Sequence, residues 1–344
     1  MLPLPLPEKG GNIEDLRGFL NLQTDEDWVL FLAAQVAALF SQGPFPILGL
    51  HGEAGSAKTT AARVFRKMVD PNVAPSRGQA KDPRDLMIAA NNGWQLSFDN
   101  LSYLPAWFSD CLCRLSSGAG FSTRQLYTDS GEVLFEGQRP IVLNGIEELA
   151  TRTDLIDRSI LLELPVIRQY REEQKFWKQF EAAQPKLLGA LLDVAVQAIQ
   201  ELPNVKLTEQ PRMADFAKLG TAIEPALGLK SGTFLRAYTS NRKKASRVAL
   251  DASPIANRIC ELAVKGWTGT ATQLLSELNS TADEEVRRTK SWPKSPRVLS
   301  GMLKRLNTAF RTVGTEVESS RDDTRMRNRE LSIRKLKAKG KGAV

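Results

Sequence analysis

Hydrophobic and polar residues alternate regularly in the first half of the chain. Short apolar runs are separated by segments in which apolar residues recur every three or four positions. The short runs predict buried strands at residues 46–51, 94–98, 140–143 and 159–164. The longer segments predict helices at residues 58–68, 83–90 and 106–115. Strands that alternate with helices indicate an α/β fold with a mainly parallel sheet, whose ligands bind at the carboxyl ends of the strands.

Helical periodicity dominates on both sides of this α/β core. Residues 13–42 carry helical signals, and Gly43-Pro44 ends that segment before the first strand. After Pro165 the strand signals stop. We predict a helical lid there, with helices at residues 170–183, 186–201, 212–219 and 232–250.

The carboxyl-terminal part shows a different pattern of predicted helices and strands. Helices are predicted at 254–266, 270–279 and 295–312, and short strands at 315–318 and 330–333. Three helices followed by a basic two-stranded ribbon are typical of a winged helix. The predicted organisation is an N-terminal helical segment at residues 1–42, an α/β core at 43–168 and a helical lid at 169–250. A winged helix follows at 251–334 and a basic disordered tail at 335–344.

Charge is distributed unevenly between the two ends of the chain. The 344 residues contain 47 Lys and Arg against 39 Asp and Glu, which gives a net charge of +8. From residue 231 onward there are 24 Lys and Arg against 11 Asp and Glu, so the first part of the chain is acidic and the second basic. This asymmetry is expected when one module handles nucleotide and another meets nucleic acid.

Cysteine content and hydropathy predict a soluble, cytoplasmic protein. Cys111, Cys113 and Cys260 offer neither a disulfide framework nor paired metal-ligand spacings. Residues 1–7 lack a basic leader and are interrupted by prolines, which argues against a signal peptide. No apolar run reaches the roughly 18 residues that span a bilayer, so we expect no membrane partner.

Residues 47–60 carry the most informative motif. An apolar strand runs into small residues, then a lysine and a threonine, and then a helix, which is the context of a phosphate-binding loop. Gly52 and Gly55 allow backbone N–H groups to face a triphosphate. Lys58 supplies a cation for its β and γ oxygens, and Thr59 supplies a hydroxyl for Mg2+. The predicted ATP-binding residues are Gly52, Glu53, Ala54, Gly55, Ser56, Ala57, Lys58, Thr59 and Thr60.

Position 57 departs from the motif, because alanine stands where the second glycine is expected. If the φ angle of this residue is negative, alanine costs little. If φ is positive, alanine costs about 1 kcal/mol. The sequence leaves both alternatives open.

Asp99 and Asn100 follow a predicted buried strand about 40 residues after Lys58. A carboxylate at this position can hold Mg2+ through water while Thr59 holds it directly. Many ATPases of this kind carry glutamate at the next position, but asparagine can position a water without taking its proton. Either Asn100 only aligns the attacking water, or another carboxylate such as Glu53 assists, or turnover is slow.

A hairpin and a second polar strand end are predicted further along. Residues 118–135 indicate a hairpin that turns at 129–132, with Arg124 at its base as the nearest cation for nucleic acid. Asn144 ends the strand at 140–143. Its amide either senses the γ-phosphate or only caps the strand end.

Two arginines, Arg152 and Arg158, lie just before the last predicted strand. An arginine that reaches the γ-phosphate of a neighbouring subunit stabilises the charge of the transition state. We predict this role for Arg158, with Arg152 as the alternative. A salt bridge from Arg158 to Asp154 or Asp157 is the structural alternative.

Basic residues are concentrated in the predicted winged helix. The candidates for nucleic-acid contacts there are Arg297, Lys304, Arg305, Arg325 and Arg327. The alternative is a solvated basic face that makes subunit contacts, because Glu316 and Glu318 dilute the charge of the wing. Trp267 and Trp292 are expected in the core and not as stacking platforms.

These motifs together resemble the AAA+ ATPase core of superfamily three helicases, in particular the helicase modules of phage and mobile-element primase-helicases. The resemblance extends from about residue 2 to residue 334, with its sharp motifs at 52–59, 94–100 and 139–160. It implies a homo-oligomeric ring, usually of six subunits, that hydrolyses ATP at subunit interfaces and moves along DNA with the hairpin in its channel. It also implies roles for Lys58, Thr59 and Asp99 as phosphate and magnesium ligands, for Asn144 as sensor and for Arg158 as the arginine supplied in trans.

The favoured hypothesis is an ATP-driven DNA helicase or origin-unwinding ATPase. The chain shows no primase catalytic pattern, so a primase is a candidate partner. A nucleotide-switched DNA-binding protein that does not unwind is the second hypothesis. An NTPase that acts on protein partners is the third.

Overall fold

The computed structural model describes residues 2–118, 121–124, 132–135, 137–145, 152–207, 210–321 and 329–336. The chain divides into two compact units. The first unit contains residues 1–149 and 158–241, and the second contains residues 150–157 and 242–344. Among the described residues, no helix is both long and apolar enough to span a bilayer.

The first unit is built on a parallel sheet, as the alternating pattern predicts. Within the described residues its strands are β1 (Ile47–His51), β2 (Leu96–Phe98), β5 (Ile141–Asn144) and β6 (Ser159–Glu163), in the order β2-β5-β1-β6. Residues opposite each other in the register include Leu50 and Asn144 on β1 and β5, and Phe98 and Leu143 on β2 and β5. The carboxyl ends of these strands therefore lie side by side.

Helices accompany the strands of this unit. They are α1 (Asp25–Ala37), α2 (Lys58–Val69), α3 (Pro83–Asn91) and α4 (Ala106–Ser117), and a short 3-10 helix spans Ile13–Phe19. Helices α2, α3 and α4 correspond to the three helices predicted after the first and second strands. The rings of Phe31 on α1 and Phe65 on α2 meet edge to face, with 5.6 Å between their centroids. The N-terminal helical region is therefore part of the main core.

Single residues cover backbone groups of the two outer strands. At β6, the side-chain amide of Asn241 donates to the Leu161 carbonyl over 2.6 Å and accepts from the Leu161 N–H over 3.0 Å. At β2, the Arg77 N–H donates to the Ser97 carbonyl over 2.9 Å, and the Arg77 carbonyl accepts from the Asp99 N–H over 2.8 Å. Uncovered backbone groups at a sheet edge favour pairing with other chains, and these contacts occupy them.

The predicted hairpin is present as β3 (Phe121–Arg124) and β4 (Glu132–Phe135), which pair antiparallel. Arg124 lies opposite Glu132 in the register. Glu132 is therefore a strand residue and not part of the turn predicted at 129–132, because the ladder extends one residue further than the turn-like composition indicates. Residues 125–131 lie outside the described part of the chain.

One long helix, α6 (Glu173–Glu201), replaces the two helices predicted at 170–183 and 186–201. A proline inside a helix removes an N–H donor and normally ends or kinks the helix, which is why Pro185 predicts a break. The extended N-terminal segment packs against this turn, where the Glu8 N–H donates to the Pro185 carbonyl over 2.9 Å. The Glu8 carbonyl also lies so close to Gly189 that a Cβ there would be 1.9 Å away. Tertiary packing thus overrides the local signal.

Two further helices complete the helical region, α7 (Ala214–Ala222) and α8 (Thr233–Asp251), and the boundary between the units falls inside α8. Short 3-10 turns span Leu202–Asn204 and Pro225–Leu227. The buried Glu224 carboxylate accepts from the N–H groups of Gly232, over 2.9 Å, and Phe234, over 2.7 Å. It therefore caps the start of α8, where a negative charge is favourable.

The second unit combines helices with an antiparallel sheet. Its elements are α5 (Thr153–Ile156), α9 (Ala256–Lys265), β7 (Trp267–Thr270), α10 (Ala271–Thr281), α11 (Glu284–Arg288), α12 (Pro296–Thr312), β8 (Thr315–Arg321) and β9 (Arg329–Lys335). The predicted helices correspond to α9, α10 and α12, and the predicted ribbon to β8 and β9. The predicted ribbon is present, but the sequence analysis missed β7, which pairs with β9 as a third strand. A four-residue strand whose partners are 60 or more residues away leaves no local pattern.

Both tryptophans of this unit lie in or against its core, as predicted. Trp292 is buried, and its indole N–H donates to Asn279 Oδ1 over 2.9 Å. Trp267 packs against the same cluster and donates to Glu277 Oε2 over 2.6 Å. Indole rings held in this way have a polar partner for their N–H and an apolar environment for the ring.

We predict that Asn241→Asp destabilises the protein. The aspartate keeps an acceptor but loses the N–H that donates to the part-buried Leu161 carbonyl. A buried acceptor left unsatisfied costs about 1–3 kcal/mol, and we expect a loss toward the lower end of this range. The midpoint of thermal unfolding, followed by circular dichroism, should fall by about 2–4 °C for each kcal/mol. Asn279→Asp is the matched control, since the Asn279 oxygen accepts from Trp292 and an aspartate retains that acceptor. An equal loss in both variants would contradict the prediction.

Candidate functional site

The loop between β1 and α2 requires glycine at two close approaches. Gly52 has φ +139°, and a Cβ there would lie 2.4 Å from the Leu164 carbonyl oxygen. Gly55 has φ +79°, and a Cβ there would lie 2.5 Å from the Tyr170 hydroxyl. Both conformations are ones that other residues rarely adopt. The Ile167 N–H donates to the Gly55 carbonyl over 3.2 Å, which fixes the loop against the chain that follows β6.

Ala57 adopts a left-handed conformation, with φ +64° and ψ +27°, directly before α2. Of the two alternatives that the sequence leaves open, this is the costly one. The Cβ of an L residue crowds the following carbonyl in this region, at about 1–2 kcal/mol. The loop therefore has the backbone shape of a glycine-containing motif and carries strain at a candidate functional position.

Lys58 is held over the loop by the loop's own acceptors. Its Nζ donates to the carbonyls of Gly52 and Glu53, each over 2.7 Å, and to the Ser56 hydroxyl over 3.2 Å. The buried Ser56 hydroxyl donates in turn to the Glu53 carbonyl over 2.9 Å. A triphosphate in this loop would meet a cation whose position is already fixed.

Three polar side chains meet beside the loop, at the carboxyl ends of β2 and β5 and the start of α2. Asn144 Nδ2 lies 2.6 Å from Asp99 Oδ1 and 3.0 Å from Thr59 Oγ1. Thr59 Oγ1 lies 3.3 Å from the same Asp99 oxygen. A hydroxyl and a carboxylate arranged in this way are the groups that hold a magnesium-bound triphosphate in phosphate-loop enzymes.

Asn100 continues this edge with φ +54°, a left-handed conformation that asparagine tolerates. Its N–H donates to Asp99 Oδ1 over 2.8 Å, so the turn itself orients the carboxylate. A Cβ at Gly145 would lie 3.1 Å from the Asn100 Cα, which shows how closely the ends of β2 and β5 approach. The side chains of Asn100 and Glu53 are both exposed. Their roles toward an attacking water stay predictions.

Asn21 contributes to the site, although the sequence did not point to it. Its Nδ2 donates to the carbonyl of Ser56 in the loop over 3.1 Å and also to the carbonyl of Pro165 after β6. One amide therefore ties the loop to the chain that leaves the sheet. These partners are 35 and 144 residues away in sequence, so no local motif reveals the contact.

An aromatic cavity of about 430 Å3 lies beside the loop. Its lining includes Gly55 and Ala57 of the loop and Thr60 of α2, and its aromatic lining consists of Phe19, Tyr170, Phe176 and Trp177. Pockets of this size are typical of small-molecule sites. The helical signals of 170–183 indicate these positions only as one face of a helix, so the sequence does not predict the cavity.

An ion pair fixes one wall of this cavity. Arg63 Nη1 donates to Glu173 Oε1 over 2.9 Å, and the Trp177 indole N–H donates to the same oxygen over 3.2 Å. The hydrogen bond from Arg63, and then that from Trp177, lower the pKa of the Glu173 carboxyl. The Arg63 guanidinium also lies 4.2 Å above the centroid of the Trp177 ring. Charge and stacking thus hold the indole in one orientation.

Arg158 lies at the amino-terminal ends of the strands, whereas the loop lies at their carboxyl ends. Arg158 directly precedes β6, and its carbonyl accepts from the Ile47 N–H at the start of β1 over 2.8 Å. The loop begins after the last residue of this five-residue strand, about 16 Å further along. Arg158 is therefore not placed to serve the loop of its own chain. Its role on a neighbouring subunit stays a prediction.

Arg152 and Asp157, which flank α5, belong to the second unit. Arg152 precedes α5, and Asp157 follows it. The buried Asp157 carboxylate pairs with Arg242 over 3.1 Å. Arg152 and Arg158 are therefore parts of different units, which separates the two candidates for the arginine supplied in trans.

The predicted nucleic-acid residues divide into described and undescribed groups. Arg297, Lys304 and Arg305 are exposed on α12. The side chain of Arg124, and both Arg325 and Arg327, lie outside the described part of the chain.

The acidic residues of the β8-β9 ribbon have a basic partner within the same sheet. Arg334 on β9 donates to Glu316 over 2.8 Å and to Glu318 over 2.9 Å. One arginine thus faces two carboxylates, so Glu316 and Glu318 neutralise Arg334 and leave no excess of positive charge at this part of the ribbon.

The residues present fit ATP with Mg2+. The glycines leave room for phosphates, Lys58 provides the cation, and Thr59 and Asp99 provide oxygen ligands. Among the described residues, no three His, Cys, Asp or Glu side chains are grouped to hold a metal ion. Mg2+ in phosphate-loop sites needs only one or two protein groups, because water and phosphate oxygens supply the rest.

Two family profiles match the chain. The profile described as "Actinomycete integrative conjugative element replication protein" matches residues 13–243. The profile described as "AICE RepA C-terminal domain" matches residues 255–341. No curated protein matches the chain.

Solved structures similar to the chain include one described as "SCCmec type IV Cch - active helicase", at 12% identity and a TM-score of 0.40, over 92% of this chain and 70% of that chain. The C-terminal region of NrS-1 is 10% identical, with a TM-score of 0.41, over 96% of this chain and 77% of that chain. NtrX from Brucella abortus in complex with ADP is 16% identical, with a TM-score of 0.28, over 86% of this chain and 71% of that chain.

We predict that Ala57→Gly stabilises the protein, by up to about 1 kcal/mol, because glycine adopts positive φ without steric cost. Chemical denaturation measures the free energy of unfolding. Ala61→Gly, four residues later inside α2, is the matched control. It should destabilise by about 1 kcal/mol or more, because glycine weakens a helix interior. Effects of the same sign in both variants would refute the assignment of strain to position 57.

Proposed function

The chain belongs to the family of actinomycete integrative conjugative element replication proteins, and from this we propose that it is an ATP-dependent DNA helicase or origin-unwinding ATPase that acts as a ring. The observation that carries the proposal is the convergence of Thr59, Asp99 and Asn144 beside the lysine-bearing loop. A replication protein of a mobile element needs an energy source to open duplex DNA, and this site fits one.

Each residue of the cluster has a distinct task in this proposal. ATP with Mg2+, when bound, supplies the phosphoanhydride bond whose hydrolysis releases energy. Lys58 would neutralise the β and γ oxygens, and Thr59 would supply a direct ligand to the metal. Asp99 would hold the metal through water. Asn144 contacts both Thr59 and Asp99, so its amide senses changes at the metal and at the γ-phosphate.

The attacking water is aligned by Asn100, whose side chain is exposed at the same edge. An amide orients a water but does not accept its proton. Proton transfer therefore passes to another base, for which the exposed Glu53 is the candidate in the loop. The aromatic cavity beside the loop takes the base and ribose of the nucleotide.

The second unit supplies the DNA contact in this proposal, as a winged helix. The order helix, strand, helix, helix, strand, strand from α9 to β9, with the short α11 inserted, supports this assignment. Exposed Lys304 and Arg305 on α12 neutralise phosphates.

The position of Arg158 supports the proposal of a ring. Since this arginine lies at the opposite end of the strands from its own loop, a catalytic role requires a second copy of the chain. We propose a homo-oligomer, as superfamily three helicases form, in which Arg158 completes the site of the neighbouring subunit. A primase is the proposed functional partner.

The second candidate function is a nucleotide-switched DNA-binding protein. The observation that favours it is Asn100. A site without a carboxylate at this position lacks a general base there, so hydrolysis is slow and ATP stays bound for longer. Strand displacement separates the two candidates. DNA-stimulated hydrolysis without displacement of the strand supports the switch.

We predict that Lys58→Ala abolishes displacement of the labelled strand from forked DNA with ATP and Mg2+. Loss of the phosphate-binding cation should lower ATP affinity and hydrolysis by at least about tenfold. Lys178→Ala, which removes an exposed lysine from α6, is the control and should retain both activities. ATP binding that is equal in wild type and Lys58→Ala would remove the basis of the proposal.

We predict that Arg158→Ala binds ATP normally but hydrolyses it at least about a thousandfold more slowly, because an arginine supplied in trans stabilises the transition state by this order. Mixing this variant with Lys58→Ala should restore part of the activity, since some interfaces then combine an intact loop with an intact arginine. Arg152→Ala tests the alternative arginine and should retain hydrolysis. Mixed oligomers without recovery would contradict the role in trans.

A further inference from the structure

The short helix α5 belongs to the second unit, although it lies in sequence between β5 and β6 of the parallel sheet in the first unit. The chain leaves the first unit after residue 149 and returns to it at residue 158. The excursion therefore ends at the residue directly before Arg158. A segment of this kind joins the position of Arg158 covalently to whatever holds α5.

Two contacts anchor α5 within the second unit. The Thr153 hydroxyl donates to the main-chain carbonyl of Arg305 on α12. After α5, the buried Asp157 carboxylate pairs with Arg242 over 3.1 Å. Leu155 of α5 is also fully buried. One end of the segment is thus tied to the helix that carries the exposed basic residues.

The next residues are anchored in the first unit. The Arg158 carbonyl accepts from the Ile47 N–H of β1, and Asn241 bonds both backbone groups of Leu161 on β6. The chain therefore crosses between the units at two peptide bonds. Residues 157 and 242 belong to the second unit, and their neighbours 158 and 241 belong to the first. Displacement of α5 acts directly on the peptide that carries Arg158.

Space for such a displacement exists inside the second unit. A cavity of about 380 Å3 is lined by Arg152 and Thr153 from the α5 segment and by Met302, Arg305 and Leu306 from α12. The hydrogen bond from the Thr153 hydroxyl to the Arg305 carbonyl lies beside this open volume. A shift of α12 that moves the Arg305 carbonyl would therefore act on Thr153.

We propose that α5 couples DNA binding at α12 to the position of Arg158, with Thr153 as the positioning residue. This inference rests on the proposed function. Phosphates of single-stranded DNA that bind Lys304 and Arg305 shift the position of α12. The hydrogen bond from the Thr153 hydroxyl transmits this shift to α5. Arg158 then moves toward the ATP of the neighbouring subunit. The expected consequence is hydrolysis that DNA stimulates.

The experiment measures ATP hydrolysis by the full chain with and without a single-stranded oligonucleotide. Thr153→Val removes the hydroxyl and keeps the shape of the side chain. It should retain basal hydrolysis and DNA affinity, while the stimulation by DNA falls about fivefold or more, the usual lower limit of a coupling between sites. Thr153→Ser restores the hydroxyl and should restore the stimulation.

Thr312→Val is the matched control. Its hydroxyl donates to the Thr308 carbonyl inside α12, so the same substitution removes a hydrogen bond from the same helix without involving α5. It should leave the stimulation unchanged. Stimulation that persists in Thr153→Val, or that is lost equally in Thr312→Val, overturns the coupling.

A measurement on the wild type covers the case in which Thr153→Val does not fold. Amide hydrogen exchange of residues 153–158 should change when the oligonucleotide is added, and unchanged exchange in this segment overturns the proposal. Wild type that hydrolyses no ATP refutes the proposed function and the coupling with it. Wild type whose hydrolysis DNA stimulates, together with an unaffected Thr153→Val, refutes the coupling alone.

Discussion

The candidate site depends on the parallel direction of the strands in the central sheet. Strands β2, β5 and β1 run in the same direction and occupy consecutive positions in the sheet. The loop after His51, the carboxylate of Asp99 and the amide of Asn144 therefore lie together at the carboxyl ends of the strands. Adjacent strands are about 4.8 Å apart, which is within reach of short side chains. The buried Asn144 amide finds its partners in Asp99 and Thr59 here, and the same groups are suited to a metal-bound phosphate.

Strain and preorganisation occur together in the loop that borders this cluster. Ala57 keeps a left-handed backbone conformation that glycine would adopt more easily. Lys58 is fixed by the carbonyls of Gly52 and Glu53 in the same loop. A residue stays in such a conformation only when its surroundings determine it. Here the surroundings include Asn21, which bonds the loop from outside the motif. The shape that would receive phosphate is thus set by tertiary contacts as much as by the motif.

Local patterns predicted the elements of the fold well, because each strand and helix carries its own periodicity. They predicted the loop residues and Asp99 as site candidates for the same reason, since a strand that ends in a polar residue is visible in the sequence. Contacts made by side chains across long sequence distances were not predictable. Asn21, the strand β7 and the uninterrupted helix through Pro185 all depend on partners far along the chain. Membership of a replication protein family came from comparison and not from the chemistry of single residues.

The covered margins of the central sheet limit how copies of this chain can associate. Asn241 occupies the outward donor and acceptor of Leu161, and Arg77 does the same for the stretch from Ser97 to Asp99. A further strand cannot be added at either position without displacing these bonds. At these two positions, copies of the chain would therefore meet through side chains, which can slide and re-form, and not by extending the central sheet into an intermolecular ladder. An assembly built in this way can change its geometry during a catalytic cycle without breaking a shared sheet.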